Sequence, residues 1–92
     1  MYHCHTQFYL IGEPCREFTI IREIPPLEPF THSFMDSAAP ESALLNRADI
    51  LFADLRSLRP EEALPVLFQG KRPEAECILL AQPDQFPLLS AY

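Results

Sequence analysis

Four consecutive apolar residues, Ile50-Leu51-Phe52-Ala53, stand between two aspartates, Asp49 and Asp54. A strand that is apolar at every position, rather than at every second one, needs cover on both faces. Ala48 to Asp54 therefore reads as a central parallel strand. Parallel neighbours require crossover connections, and these are usually helices. One seven-residue stretch thus commits the chain to an α/β fold.

The rest of the sequence supplies the expected parts. His5 to Ile11 alternates weakly and then turns apolar, which reads as a first buried strand ended by Gly12. Glu13-Pro14 opens a helix that runs through Phe18, Ile21 and Arg22 until Pro25-Pro26 stops it. Phe18, Ile21 and Ile24 fall on roughly one face of it. Glu28 to Phe34 is a second strand, with Phe30, His32 and Phe34 on one side, followed by a turn over Asp36 to Pro40. Pro40 to Leu45 is a short helix. Arg59-Pro60-Glu61-Glu62 begins another, with Leu64, Leu67 and Phe68 as its apolar face, Pro65 kinking or shortening it by its missing N–H, and Gly70 as a C-cap. Cys77 to Ala81 is a further apolar strand, and Pro83 to Tyr92 starts a last helix.

The order β-α-β-α-β-α-β-(α) predicts a three-layer α/β/α domain with a mainly parallel sheet of four to five strands. At 92 residues there is room for one domain, spanning 1–92. Ligands of such sheets collect at the carboxyl ends of the strands. That draws attention to Gly12-Glu13, Asp54-Leu55-Arg56 and Ala81-Gln82.

Charge narrows the partners. Seven basic against thirteen acidic side chains give a net charge of −6, which argues against nucleic acid and anionic membrane as partners. No run of apolar residues approaches a membrane span, and Met1 to His5 lacks the basic start of a secretory signal. Three cysteines, Cys4, Cys15 and Cys77, are an odd number at irregular spacing and suit a reducing cytoplasm.

The stretch Ala48 to Arg56, then a helix, then Glu76-Cys77-Ile78-Leu79-Leu80-Ala81, resembles the middle of a response-regulator receiver domain. The resemblance covers roughly residues 5 to 91, four of that family's five β-α units. It implies that Asp54 stands where the family's phospho-acceptor aspartate stands. It also implies that Glu13 stands where one Mg²⁺-binding acid stands. Gly12 occupies the neighbouring acid position, Ala81 replaces the Ser or Thr that ends the fourth strand, and no Lys can be assigned because the chain stops before a fifth strand. These departures imply a degenerate receiver that needs neither phosphorylation nor a cofactor. Such a domain is expected to work in the cytoplasm by protein-protein contact, as a homodimer and as an N-terminal part of a longer bacterial signalling protein with a C-terminal output domain. The alternative is an active receiver phosphorylated on Asp54 with Mg²⁺ held partly by Glu13.

His3-Cys4-His5, with a free amine and two amides, offers a square-planar Cu(II) or Ni(II) site at His3, against an ordinary exposed strand start. Cys15 at a helix start has no C-x-x-C partner. Asp49 and Asp54 lie about 16 Å apart along an extended strand, too far for a catalytic pair. There is no Gly-rich phosphate loop and no sequence signature of a nucleophile with its base, so no enzyme activity is expected.

Overall fold

A computed structural model of the chain describes residues 5–25 and 30–89. Four strands form one sheet: β1 (His5–Ile11), β2 (Thr31–Ser37), β3 (Ile50–Asp54) and β4 (Glu76–Leu80). The helices are α1 (Arg16–Glu23), α2 (Ser42–Leu45), α3 (Pro60–Gly70) and α4 (Phe86–Leu89), the last entered through a 3₁₀ turn at Pro83–Gln85. Every strand pair is parallel, and the order across the sheet is β2-β1-β3-β4. The chain steps from β1 to β2 in one direction and returns past β1 to β3 in the other. Right-handed crossovers then set α1 on one face and α2 and α3 on the opposite face.

Packing follows this division. Tyr9, Ile11, Leu51 and Ala53 join Leu45 of α2 and Ala63, Leu64 and Leu67 of α3 in one buried cluster, with Cys77, Leu79 and Leu89 against it. Leu10 and Phe18 are also buried but lie outside that cluster, which marks the α1 side. β3 therefore has apolar residues facing both ways, as its unbroken run requires.

Several boundaries differ from the sequence expectation. β2 runs to Ser37 and takes up Asp36 and Ser37, which the sequence assigns to a turn, because pairing with β1 continues to Ile11↔Ser37. The expected start of that strand at Glu28 lies outside the described residues. α1 begins at Arg16 with Cys15 as its N-cap, so Pro14 lies before the helix rather than in its first turn. Ile24, next to Pro25, is already extended. α3 continues through Pro65 to Gly70. The lost hydrogen bond to the Glu61 carbonyl is offset by the burial of Leu64 and Leu67 on either side of it. Gly70 is not a left-handed C-cap; Gly12 alone has positive φ among the described residues. Gly70 packs against Leu45 instead: a Cβ there would stand 2.6 Å from Leu45 Cδ1, so the end of that side chain would have to shift to admit one.

Candidate functional site

The reversal in strand order lies between β1 and β3, and the loops leaving their carboxyl ends meet there. Gly12 follows β1 with φ +133°, and a Cβ on it would stand 2.8 Å from Ser57 Oγ and 3.1 Å from the Asp54 Cβ. The glycine is thus fixed twice, by its backbone angle and by the closeness of the β3 loop. The Ser57 hydroxyl joins the two loops. It accepts from the Glu13 amide (3.2 Å) and donates to the Asp54 carbonyl (3.2 Å). The ladder runs one residue beyond β3, with Leu55 N donating to Leu80 O at 2.8 Å. Gln85 then ties the loop after β4 back to Leu55, its Nε2 donating to the Leu55 carbonyl at 2.6 Å.

Asp54 closes β3 at the centre of this junction and is only 3% exposed. It is the sole buried charged residue among the described ones. A buried carboxylate needs a cation and hydrogen bonds to offset the water it has lost. Arg56 supplies them from two positions away. Its backbone N donates to Asp54 Oδ1 at 3.0 Å, its Nε to the same oxygen at 2.8 Å, and its Nη2 to Oδ2 at 3.3 Å. The far side of the guanidinium grips Glu17 of α1 through Nη1 (3.1 Å) and Nη2 (2.8 Å). Arg56 thereby links β3 to α1 through two carboxylates. It holds the Glu17 carboxyl at about 2, far below the usual range, its hydrogen bonds being the largest cause. Glu17, then Asp54, in turn raise the pKa of Arg56.

The remaining sequence candidates fall elsewhere. Glu13 reaches the site through its amide, and its side chain is exposed. Ala81 follows β4 and packs against the core. His3 lies outside the described residues. The ring of His5 shares hydrogen bonds with Thr31 Oγ1 (2.7 Å) and Ser33 Oγ (3.0 Å), so both its nitrogens are engaged. Asp49 sits at the opposite end of β3. It accepts from the Gln7 amide at 2.7 Å and pairs with Arg72, and these bonds, the amide's first, lower its pKa. Burial raises the pKa of the Cys77 thiol.

Mg²⁺ fits these residues poorly. Its sites use free carboxylate oxygens with water, whereas both oxygens of Asp54 are bound by Arg56. No group of three or more His, Cys, Asp or Glu residues among the described ones could hold a metal. A pocket of about 300 Å³ opens from the junction at Gly12 and Glu13 and extends between the start of α1 and the end of β2. The Arg22–Asp36 ion pair lines it, with Cys15, Phe18 and Ser37.

From the sequence, Asp54 with Arg56 and Arg59 reads as a plain ion-pair cluster, and the Asp54–Arg56 pair is present, whereas the part of Glu17 escaped the sequence reading. Arg59 instead pairs with Glu62. Glu17 is 39 residues from Arg56, and only the return of β3 beside β1 brings them together.

Comparison with protein-family models, curated proteins and solved structures returned no match. Among the described residues no helix is long and apolar enough to cross a membrane.

Proposed function

We propose that this chain is a receiver-like regulatory domain of a bacterial signalling protein and that it works by protein-protein contact without phosphoryl transfer. The β2-β1-β3-β4 order matches the first four strands of the flavodoxin-like arrangement, which receivers share. Asp54 ends β3 at the switch point, where the receiver phospho-acceptor belongs.

The observation that carries the reading is the Arg56 guanidinium on Asp54. A working acceptor must offer a carboxylate oxygen to the incoming phosphorus and share a metal ion with it. Here an internal cation takes the metal's electrostatic place and a third acid, Glu17, keeps it there. Gly12 and Ala81 stand where a second acid and a hydroxyl would help to hold a phosphoryl group. The domain is then a fixed scaffold whose output is contact with a second copy or with an output domain in the cytoplasm.

The test is the intact mass of the chain after incubation with acetyl phosphate and Mg²⁺. No added phosphoryl group is expected, and the Asp54→Ala variant should behave identically. One phosphoryl group added to the wild type and absent from Asp54→Ala would overturn the proposal and restore the active-receiver alternative.

A further inference from the structure

On the reading that the domain works by contact, we infer that its partner surface is the free edge of β4 and that the occupant is an apolar strand with basic ends, carried by the protein it regulates, which lengthens the sheet by one strand.

The two edges of the sheet, β2 and β4, are built differently. An edge strand presents a row of unpaired N–H and C=O groups, which charges, prolines or polar residues normally blunt. β2 is blunted: Thr31, His32, Ser33, Asp36 and Ser37 are polar, and Asp36 is paired with Arg22. β4 is not. Cys77-Ile78-Leu79-Leu80-Ala81 is an apolar run with no charge, proline or glycine in it. That is the pattern of an interior parallel strand. Yet β4 has β3 on one side and no strand among the described residues on the other. Ile78 is left 44% exposed.

The ladder with β3 shows which backbone groups are free. Glu76 N donates to the Asp49 carbonyl at 3.0 Å, and the Leu80 carbonyl accepts from Leu55 N at 2.8 Å. Alternate residues of a parallel strand face the same neighbour. Glu76, Ile78 and Leu80 therefore turn toward β3, while Cys77 and Leu79 turn their N–H and C=O groups to the open edge. An added strand would meet apolar side chains on both faces of the sheet. Cys77 and Leu79 pack against the cluster on the α2–α3 side, and Ile78 and Leu80 lie on the α1 side. In this mode of recognition the main-chain bonds give affinity and the side chains on either face give specificity.

Charge selects a basic-ended strand over a second copy of the chain. Glu76 opens β4, and Asp84 stands in the turn that follows it. Both are exposed, and neither is in an ion pair with a described residue. The other charges near the start of β4 are engaged. Lys71 Nζ donates to the carbonyls of Arg72 and Ala75, and Arg72 pairs with Asp49 and Glu74. Each end of the edge thus keeps an uncompensated acid. Two β4 edges joined antiparallel would set Glu76 of each toward the Asp84 end of the other. Joined parallel, they would set Glu76 against Glu76. Like charges placed opposite each other destabilise a strand pair. A strand with Lys or Arg at both ends meets an acid at each.

The probe is the acetylated and amidated peptide Lys-Val-Ile-Val-Ile-Val-Lys, N-methylated at both isoleucines so that only one of its edges can pair. Added to the ¹⁵N-labelled chain, it should shift the Cys77 and Leu79 amide signals saturably. At saturation it should slow their hydrogen exchange at least about tenfold, while Ile78 and Leu80, bonded to β3, are slow from the start. The same peptide with Glu in place of Lys should bind about tenfold more weakly at low salt, and Glu76→Lys should narrow that difference. Ile78→Lys, at an exposed site, should weaken binding at least about tenfold with the circular dichroism spectrum unchanged. No saturable shift at millimolar peptide, shifts away from β4, or equal binding of the two peptides overturns the proposal. Slow exchange at Cys77 and Leu79 without peptide overturns it too: if independent of concentration, the chain covers its own edge, and if rising with concentration, a second copy does. Asp54→Asn should bind the peptide as the wild type does, so this result and the phosphoryl-transfer result fail separately.

Discussion

Replacing Arg56 by Ala removes the cation from the one buried carboxylate among the described residues. Arg56 makes two side-chain hydrogen bonds to Asp54 and two to Glu17, and all four are lost. Removing one partner of a fully buried pair costs about 3–5 kcal/mol, because the other charge stays buried and unpaired. Two features reduce that figure here. The Arg56 side chain is 33% exposed, so water already screens the pair. The Arg56 backbone N–H, at 3.0 Å from Oδ1, survives the substitution. We expect a loss of about 2–3 kcal/mol. For a domain of this size that is roughly 10–20 °C in Tm. Asp54→Asn should cost less, near 1 kcal/mol, because Arg56 keeps Glu17 and its contact with water. Adding Asp54→Asn to Arg56→Ala should recover stability, since a buried amide is cheaper than a buried unpaired carboxylate. Urea unfolding followed by circular dichroism measures all three. Arg56→Ala within about 0.5 kcal/mol of the wild type, a change typical of an ordinary surface site, would refute the view that Arg56 neutralises Asp54.

Three further outcomes are expected. Gly12→Ala should destabilise by about 2–3 kcal/mol in the same assay, because it adds a Cβ at φ +133° against Ser57 and Asp54. Leu67→Ala, at a fully buried position between α3 and the sheet, should cost about 2–5 kcal/mol and broaden or abolish the thermal transition. Acid should loosen the α1 strut in a defined window: the Glu17 pKa is depressed in the folded chain, so its contribution is complete above the ordinary carboxylate pKa and disappears as pH falls toward about 2. A pH series of Tm for wild type and Glu17→Gln should converge at the acid end and separate above about pH 5.

The order of elements was legible because its signals are local. Prolines, Gly12 and three apolar runs mark most of the turns and strands within a few residues. β3 in particular announces its central place by having no polar alternate face. What was not legible depends on partners distant in sequence. Asp36 and Ser37 look like a turn until β1 offers them a ladder. Pro65 looks like a break until Leu64 and Leu67 are seen to be buried on both sides of it. Gly70 looks like a cap, yet its close neighbour is the side chain of Leu45, 25 residues earlier. At the site, the sequence located Asp54, Glu13 and Arg56 at strand ends. An ion pair of Arg56 with Asp54 was also legible, being local; that Glu17 completes the chain of charges was not, since it depends on how α1 lies across the sheet.

The central claim is that Arg56 already occupies the cationic place beside Asp54. Its most direct test is a ¹H–¹⁵N correlation spectrum recorded while Mg²⁺ and then beryllium fluoride are added to the chain. If Asp54 is held as described, the amides of Leu55, Arg56 and Ser57 and the Arg56 Nε–H signal stay where they are. Saturable shifts confined to those signals would show a free carboxylate that binds metal and a phosphoryl mimic, and would contradict the claim.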